Sequence, residues 1–169
     1  MTERYYGKYR GVVLNNIDPL QIGRLQVQVP DVANLVPLTW AMPCVPFAGK
    51  QMGWFAPPQI GAGGWVEFEQ GNRDYPIWSG CWYGSAAEVP TLALATPAVL
   101  SSVTMQTTAQ NTFMISDLPG PTGGILLKTT TGAFIAINDL GITLSNGKGA
   151  TIVMTGPSVT INAGALVVT

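Results

Sequence analysis

The chain has 169 residues, of which 47% are hydrophobic and only 10% are charged, with a formal net charge of −1. Soluble domains usually carry about 25% charged residues, so the composition favours a component of an assembly, and the charge balance argues against a nucleic-acid-binding surface. No apolar run reaches the roughly 18 to 20 residues that a membrane-spanning helix needs.

The residue types present exclude or weaken several kinds of site chemistry. The sequence has no histidine, which removes Ser-His and Cys-His catalysis and the commonest transition-metal ligand. Cys44 and Cys81 lie far apart without a CxxC spacing, so we interpret both as buried free thiols, although two cysteines also allow one disulfide. We therefore expect no enzyme activity, no metal and no cofactor. The first residues lack the apolar core of a signal peptide, which predicts synthesis and assembly in the cytoplasm.

The first half of the chain is rich in aromatic residues, because all five Trp and all five Tyr lie at or before Tyr83. Alternating apolar residues between turn-rich segments predict five or six short strands without a helical period. Such a set favours a small closed barrel. The predicted strands are Tyr9–Leu14, Gly23–Pro30, Leu38–Val45 with Trp40 and Met42 on one face, Trp54–Ala56, Gly64–Gly71 and Ile77–Tyr83.

Two features of this half have the residue types of an active site. Glu67 and Glu69 lie two apart on one predicted strand, as a glycosidase pair could. Their alternation with Val66 and Phe68 favours the solvent face of a half-buried strand instead, so an envelope-degrading enzyme ranks last among our hypotheses. Gly61–Gly64 has the glycines of a phosphate-binding loop, but no helix pattern follows, and we interpret it as a turn.

The last 46 residues form a repeat of short alternating runs separated by glycines. Gly124, Gly132, Gly141, Gly149, Gly156 and Gly164 are 8, 9, 8, 7 and 8 residues apart. Only Lys128, Asp139 and Lys148 carry charge in this region. The period of two places twelve apolar side chains on one face of the predicted strands: Ile125, Leu127, Ile135, Ile137, Ile142, Leu144, Ile152, Met154, Val159, Ile161, Leu166 and Val168.

This apolar face is too small to stabilise the repeat within one chain. A chain of this length offers no second layer against which these twelve side chains could be buried. Repeats that cannot bury their apolar face alone must stack or associate. We therefore predict an intertwined β-structure made with further copies of the same chain.

The sequence resembles the phage baseplate assembly protein V family, which includes the spike proteins of contractile tails and the related domain of type VI secretion spikes. The resemblance covers residues 6–84, as an OB-fold, and the later segment Gln110–Gly120 is similar to the family's lead-in to the spike. Ala62 and Asn72 depart from the pattern. The residues that carry the resemblance are Val12-Val13, Asn16, Asp18-Pro19, Gly23-Arg24-Leu25, Val27, Pro30, Trp40, Gly61, Val66-Glu67-Phe68-Glu69, Gly71, Asp74, Pro76 and Gly80.

The resemblance implies an all-β chain with an OB-fold collar over residues 1–84, a connector over 85–97 and a trimeric β-helix or β-prism over 98–169. The twelve apolar residues of the repeat would then form the trimer core. The function implied is that of a structural central spike in a phage tail or a phage-derived extracellular particle. It would be a rigid homotrimeric needle that meets the target membrane only by mechanical puncture.

Two partners are expected at the ends of this spike. A separate hub protein would contact the OB end through the basic and aromatic N-terminal cluster, Arg4, Tyr5, Tyr6, Lys8, Tyr9 and Arg10, although this segment alternatively reads as a solvated terminus. A separate conical, PAAR-like tip protein would contact the other end through Leu166, Val167, Val168 and Thr169. No nucleic acid is expected as a partner.

The alternative function is a single-stranded nucleic-acid-binding module, because OB barrels stack bases on aromatic side chains. Six basic and six acidic side chains balance within residues 1–84, which favours core and interface roles for the tryptophans instead. These tryptophans are Trp40, Trp54, Trp65, Trp78 and Trp82.

Overall fold

The structure is a computed structural model that describes residues 3–168, apart from the side chains of Val167 and Val168. The chain divides into two compact units, Met1–Ala86 and Ala87–Thr169. The fold is all-β, as predicted. Its two α-helices, α1 (Pro30–Ala33) and α2 (Thr91–Ala95), are short, and among the described residues no helix is long and apolar enough to cross a membrane.

The first unit is the predicted closed barrel. The strands of this unit are β1 (Tyr9–Asn15), β2 (Leu25–Gln28), β3 (Pro37–Pro43), β4 (Ala48–Gly49), β5 (Met52–Gly53), β6 (Gly63–Phe68) and β7 (Pro76–Trp82). Five of them follow the order β1-β2-β3-β7-β6 around the barrel, with β3 and β7 parallel and the other pairs antiparallel. A separate two-stranded hairpin is formed by β4 and β5.

The barrel interior is filled by the inward side chains of these alternating strands. Val66 and Phe68 of β6 are buried, which confirms their predicted orientation. Trp78 of β7 is buried as well, and its indole N–H donates to the carbonyl of Gly23 at 3.0 Å. Because the buried indole has its acceptor, it adds apolar area to the core without leaving a polar group unpaired.

Three predictions for this unit are wrong in detail. Trp54–Ala56 is not a strand. Strand pairing in this region is confined to β4 and β5, and the backbone N–H of Trp54 makes one further hydrogen bond, to the carbonyl of Phe47. Glu69 does not share a strand with Glu67, since β6 ends at Phe68 and a 3₁₀ turn begins at Glu69.

The third correction concerns the cysteines, which are free, as expected, but exposed rather than buried. Cys44 directly follows the end of β3, and Cys81 lies next to the register irregularity between β6 and β7. Positions at strand ends and irregularities do not follow the inward and outward alternation that the sequence prediction used.

The second unit contains one sheet of eight antiparallel strands, which follow one another in chain order. The six strands predicted from the glycine repeat are the last six of this sheet. Each inner strand is paired on both sides with strands of its own chain. The strands are β8 (Ser102–Gln106), β9 (Thr112–Ser116), β10 (Gly124–Lys128), β11 (Phe134–Asn138), β12 (Gly141–Ser145), β13 (Thr151–Thr155), β14 (Ser158–Ile161) and β15 (Leu166–Val168).

One face of the first hairpin of this sheet is covered by the chain segment that precedes it. The helix α2 lies against β8. Thr96 hydrogen-bonds Ser116 of β9 at 2.8 Å, and both side chains are buried. Met114, on the same face of β9, is only 3% exposed. The opposite face of β8 and β9 remains open within one chain.

Candidate assembly surfaces

The strand register of the second unit aligns its apolar side chains into two rows that cross all eight strands. Residues opposite each other in neighbouring strands lie on the same face of a sheet. The first, called the Leu144 row, contains Met105, Phe113, Leu127, Ile135, Leu144, Ile152, Ile161 and Leu166. The second, called the Ile142 row, contains Val103, Ile115, Ile125, Ile137, Ile142, Met154, Val159 and Val168.

All twelve residues predicted for the trimer core belong to these two rows. The backbone of Val168 places it in the Ile142 row, while its side chain lies outside the described part of the structure. None of the described row side chains is buried within one chain. An apolar sheet face of this length is not stable against water, and continuous exposed apolar surfaces of this kind mark sites of association.

The opposite face of the sheet has a different composition. Thr143, Val153 and Thr160 follow one another along its centre. Small and hydroxyl-bearing side chains dominate there, and Lys128 adds a charge in β10. The face that carries the two rows is therefore the more apolar face of the sheet.

Sequence reasoning missed four members of the rows: Val103, Met105, Phe113 and Ile115. Glycine spacing is the feature that marks the repeat, and the chain has no glycine between Gly84 and Gly120. The signal that could have found them is the alternation inside Ser102–Gln106 and Thr112–Ser116. Apolar side chains occur there at every second position, as they do in the later strands.

The N-terminal cluster predicted as a hub contact is largely part of the barrel. The rings of Tyr5 and Tyr9 lie 5.9 and 5.5 Å from the ring of Phe68 and close one end of the core. A hydrogen bond donated to Glu3 raises the pKa of the Tyr5 phenol. The Nζ of Lys8 lies 2.8 Å from the Oε1 of Glu67, so the two side chains form an ion pair.

The remaining members of the cluster differ in exposure. The Arg10 guanidinium lies over the rings of Trp65 and Trp82, at 5.7 and 5.1 Å from their centres. Arg4 donates to the carbonyl of Gln70, and Tyr6 is 71% exposed. Arg4 and Tyr6 are therefore the members of the cluster best placed to contact another protein.

Four of the five tryptophans are buried or lie under a guanidinium, whereas Trp54 is 44% exposed, and one exposed ring does not make a stacking surface. Trp78 is buried, and the faces of Trp65 and Trp82 are covered by Arg10. Trp40 has the guanidinium of Arg24 over its ring at 5.3 Å. Base stacking requires open aromatic faces along a basic groove, and these cation contacts occupy the faces instead.

A rigid loop between β1 and β2 presents further apolar side chains on the barrel unit. Asp18 accepts hydrogen bonds from the Arg24 guanidinium and from the backbone N–H groups of Leu20, Ile22 and Arg24. The Arg24 hydrogen bond, followed by those from the backbone, holds the pKa of the Asp18 carboxyl well below its usual range. Ile17, Leu20 and Ile22 project from this loop and are exposed.

Potential metal ligands are not clustered in the described residues. Within residues 3–168 no group of three or more His, Cys, Asp or Glu side chains could hold an ion together. Neighbouring atoms partly shield the Cys81 thiol from water and raise its pKa, although the residue as a whole is exposed. The chemistry that the chain presents most extensively is the apolar face of its second sheet.

Two family models match the chain, and together they span both units. Residues 9–83 match the type VI secretion system/phage-baseplate injector OB domain. Residues 102–167 match the phage baseplate V C-terminal trimerisation domain. A search of curated proteins finds no match. The matched families are structural parts of baseplates, and the trimerisation domain supports assembly as a homotrimer. The order of the two domains agrees with the barrel and the eight-stranded sheet, and the chain belongs to the phage baseplate V family of spike proteins.

Proposed function

We propose that three copies of this chain form the rigid central needle of a contractile injection particle. The observation that supports this proposal is the pair of uncovered apolar rows in a domain of the trimerisation family. Each inner strand already has both neighbours in its own chain, so further copies are needed for apolar burial rather than for strand pairing. A prism of three sheets fits this strand pairing most directly. Chains that wind around one another, as in a β-helix, are the alternative arrangement within this proposal.

In such a prism the three apolar faces meet around the threefold axis. Each strand level contributes two side chains from every chain, one from the Leu144 row and one from the Ile142 row. Neighbouring strands are about 4.8 Å apart, so seven intervals give an apolar column roughly 34 Å long. Breaking it requires all three chains to separate together, which predicts slow unfolding and resistance to proteases.

The needle would act by transmitting force when the surrounding sheath contracts. The role needs stiffness and no bond chemistry, in accord with the structural character of the matched domains. The target membrane would be met only by mechanical puncture. We propose a phage tail or a related extracellular particle as its location, with assembly in the cytoplasm.

The two ends of the needle would contact separate proteins. We place the hub on the barrel unit, with the exposed Arg4 and Tyr6 as its first contacts. We place a conical tip protein on β15, which is an edge strand of the sheet and carries the exposed Leu166. Val167 and Val168 belong to the same strand without described side chains, and Thr169 lies outside the described residues. A particle reconstruction without protein density next to these residues would remove both partners from the proposal.

Light scattering tests the trimer through two neighbouring residues of β12 that lie on opposite faces. The unmodified chain should have a mass near three times 17.8 kDa. Leu144→Glu should abolish the trimer, because it places three unpaired carboxylates in an apolar column, at a cost of several kcal/mol per ion. Thr143→Glu should leave the mass unchanged. A monomeric unmodified chain, or a trimer lost with Thr143→Glu and kept with Leu144→Glu, would contradict the proposal.

A further inference from the structure

The match to the trimerisation domain includes β8 and β9, and we propose that within this hairpin Phe113 forms an aromatic layer at the threefold axis, which fixes the axial register of the three chains. This inference rests on the proposed trimer and adds to it the residue that sets the register. The occupant of the open face of β8 and β9 is thus the same hairpin of two further copies.

Continuity with the rest of the trimer face supports this extension. Phe113 lies opposite Leu127 on one side and Met105 on the other, and Ile115 lies opposite Ile125 and Val103. The register between β9 and β10 is regular over all five residue pairs. The apolar rows therefore run from the repeat into the first hairpin without a break.

The two faces of this hairpin differ in what covers them. Met114 and Ser116 of β9 face the segment before β8 and are buried within one chain. On the other face Val103 is 57% exposed, and Met105 and Ile115 are also exposed. Because the chain itself covers the Met114 side, the side with Phe113 is the one left for another subunit.

Phe113 is the one aromatic residue in either row, as the sequence of both rows shows. The other members of the Leu144 row are Leu, Ile or Met, which differ little in volume and replace one another at low cost. If one chain slipped by two strands along the axis, most layers of this row would still pair side chains of similar size. Phe113 would instead meet Leu or Ile, which leaves a void at one level and crowding at another.

The second unit has two phenylalanines, and the second one supplies a matched control. Phe134 of β11 pairs with Lys128 and Ser145, so it lies on the face opposite the rows. A substitution at Phe134 removes the same ring from the same sheet. Only Phe113 should affect contacts between chains.

Thiol labelling of the full-length chain tests the position of Phe113. In a background with Cys44→Ser and Cys81→Ser, single cysteines are introduced as Phe113→Cys, Ile137→Cys and Phe134→Cys, and each trimer is treated with a maleimide reagent. We expect loss of labelling at positions 113 and 137 until the protein is denatured, and ready labelling at 134. If Phe113→Cys does not assemble, Met105→Cys, the neighbour in the same row, takes its place.

The outcomes separate this inference from the proposed function. Protection at position 137 together with ready labelling at position 113, or at position 105 where it takes the place of 113, would overturn the inference and leave the trimer intact. Ready labelling at position 137 would overturn the proposed trimer core itself.

Two further measurements test whether Phe113 fixes the axial register of the three chains. Phe113→Leu should lower the Tm of the trimer clearly more than Phe134→Leu, and crystallography of Phe113→Leu should reveal chains displaced along the axis. Equal Tm shifts for the two variants, or a single unchanged register in Phe113→Leu, would refute the role of Phe113 in setting the register.

Discussion

The carboxyl group of Asp18 should make the stability of the barrel unit depend on pH. Its carboxylate accepts from three backbone N–H groups and from the guanidinium of Arg24, whose Nη2 lies 2.7 Å from Oδ1. These donors stabilise the ionised form and lower the pKa of Asp18 in the folded protein. The hydrogen bonds that tie the loop from β1 to β2 to Asp18 are therefore strongest while its carboxyl group is ionised.

The lowered pKa sets the sign of the pH effect. The ionised Asp18 contributes its full stability above the ordinary carboxyl pKa of 3.8, and this contribution is lost as the pH falls below that value towards the pKa of the folded state. We expect Asp18→Asn to lower the Tm of the barrel at neutral pH and to weaken the loss of stability between about pH 5 and pH 3.

Tryptophan fluorescence measures this effect selectively, because all five tryptophans lie in the barrel unit. Asp31→Asn is the matched control, since Asp31 is exposed in the first turn of α1. Its pH profile should follow that of the unmodified chain. An Asp18→Asn variant with the same Tm and the same pH profile would show that the Asp18 hydrogen bonds do not stabilise the loop.

Side-chain orientation at the residue level was predictable where strands alternate regularly. Val66 and Phe68 are buried as their spacing indicated. The exposure of Cys44 and Cys81 was not predictable, because both lie where the alternation is interrupted. The barrel contacts of Tyr5 and Tyr9 were missed for another reason: they depend on Phe68, which is about 60 residues away in sequence.

At the level of elements, the repeat glycines allow strands to approach each other where a side chain would not fit. Gly141 begins β12 with a φ of +135°, and a Cβ at this position would collide with the carbonyl oxygen of Met154 in β13. Gly149 also has a positive φ, of +102°, but a Cβ there would have open space. Both glycines therefore have a positive φ that favours glycine, but of the two it is Gly141 that lies too close to the neighbouring strand for a side chain.

We therefore expect Gly141→Ala to destabilise the second unit more than Gly149→Ala. Both substitutions place a side chain in an unfavourable φ region, at a cost of about 1–3 kcal/mol. Gly141→Ala should add about 1–3 kcal/mol for overpacking against β13. Heat denaturation of both variants, followed by circular dichroism, measures the difference. Equal losses would mean that conformational freedom alone explains the glycine at position 141.

The strands of the repeat could be predicted because this requirement recurs at regular intervals, so glycines mark the strand boundaries. The strands β8 and β9 were not assigned to the trimer face, since their turn contains no glycine. A strand at Trp54–Ala56 was predicted because an apolar run precedes a turn-rich segment, but strand formation needs a pairing partner, and β4 and β5 already pair with each other. Local propensity does not contain that information.

At the level of the whole molecule, the two units achieve stability by different routes. The barrel closes on itself and has a core cluster of its own, which includes Val13, Leu25, Val27 and Val66. The second unit forms a single sheet whose apolar face is uncovered within one chain. The change in composition near Gly84 does not reflect the barrel core, which is mostly aliphatic with Phe68 and Trp78 as its aromatic members, whereas Phe55, Tyr75 and Tyr83 are exposed.

The two units should therefore behave differently when they are produced separately. A fragment of residues 1–86 should fold as a monomer, because its barrel is closed and has a core cluster of its own. A fragment of residues 87–169 should form a trimer, because its apolar rows would otherwise stay in water and each well-buried aliphatic side chain contributes roughly 1.5–3 kcal/mol.

Light scattering gives the mass of each fragment. Tryptophan fluorescence confirms the fold of the first fragment, and circular dichroism that of the second, which contains no tryptophan. A firmly trimeric first fragment would place the main association energy in the barrel. A folded, monomeric second fragment would show that the apolar rows find burial without sister chains, and a spike built on those rows could not then exist in the form proposed.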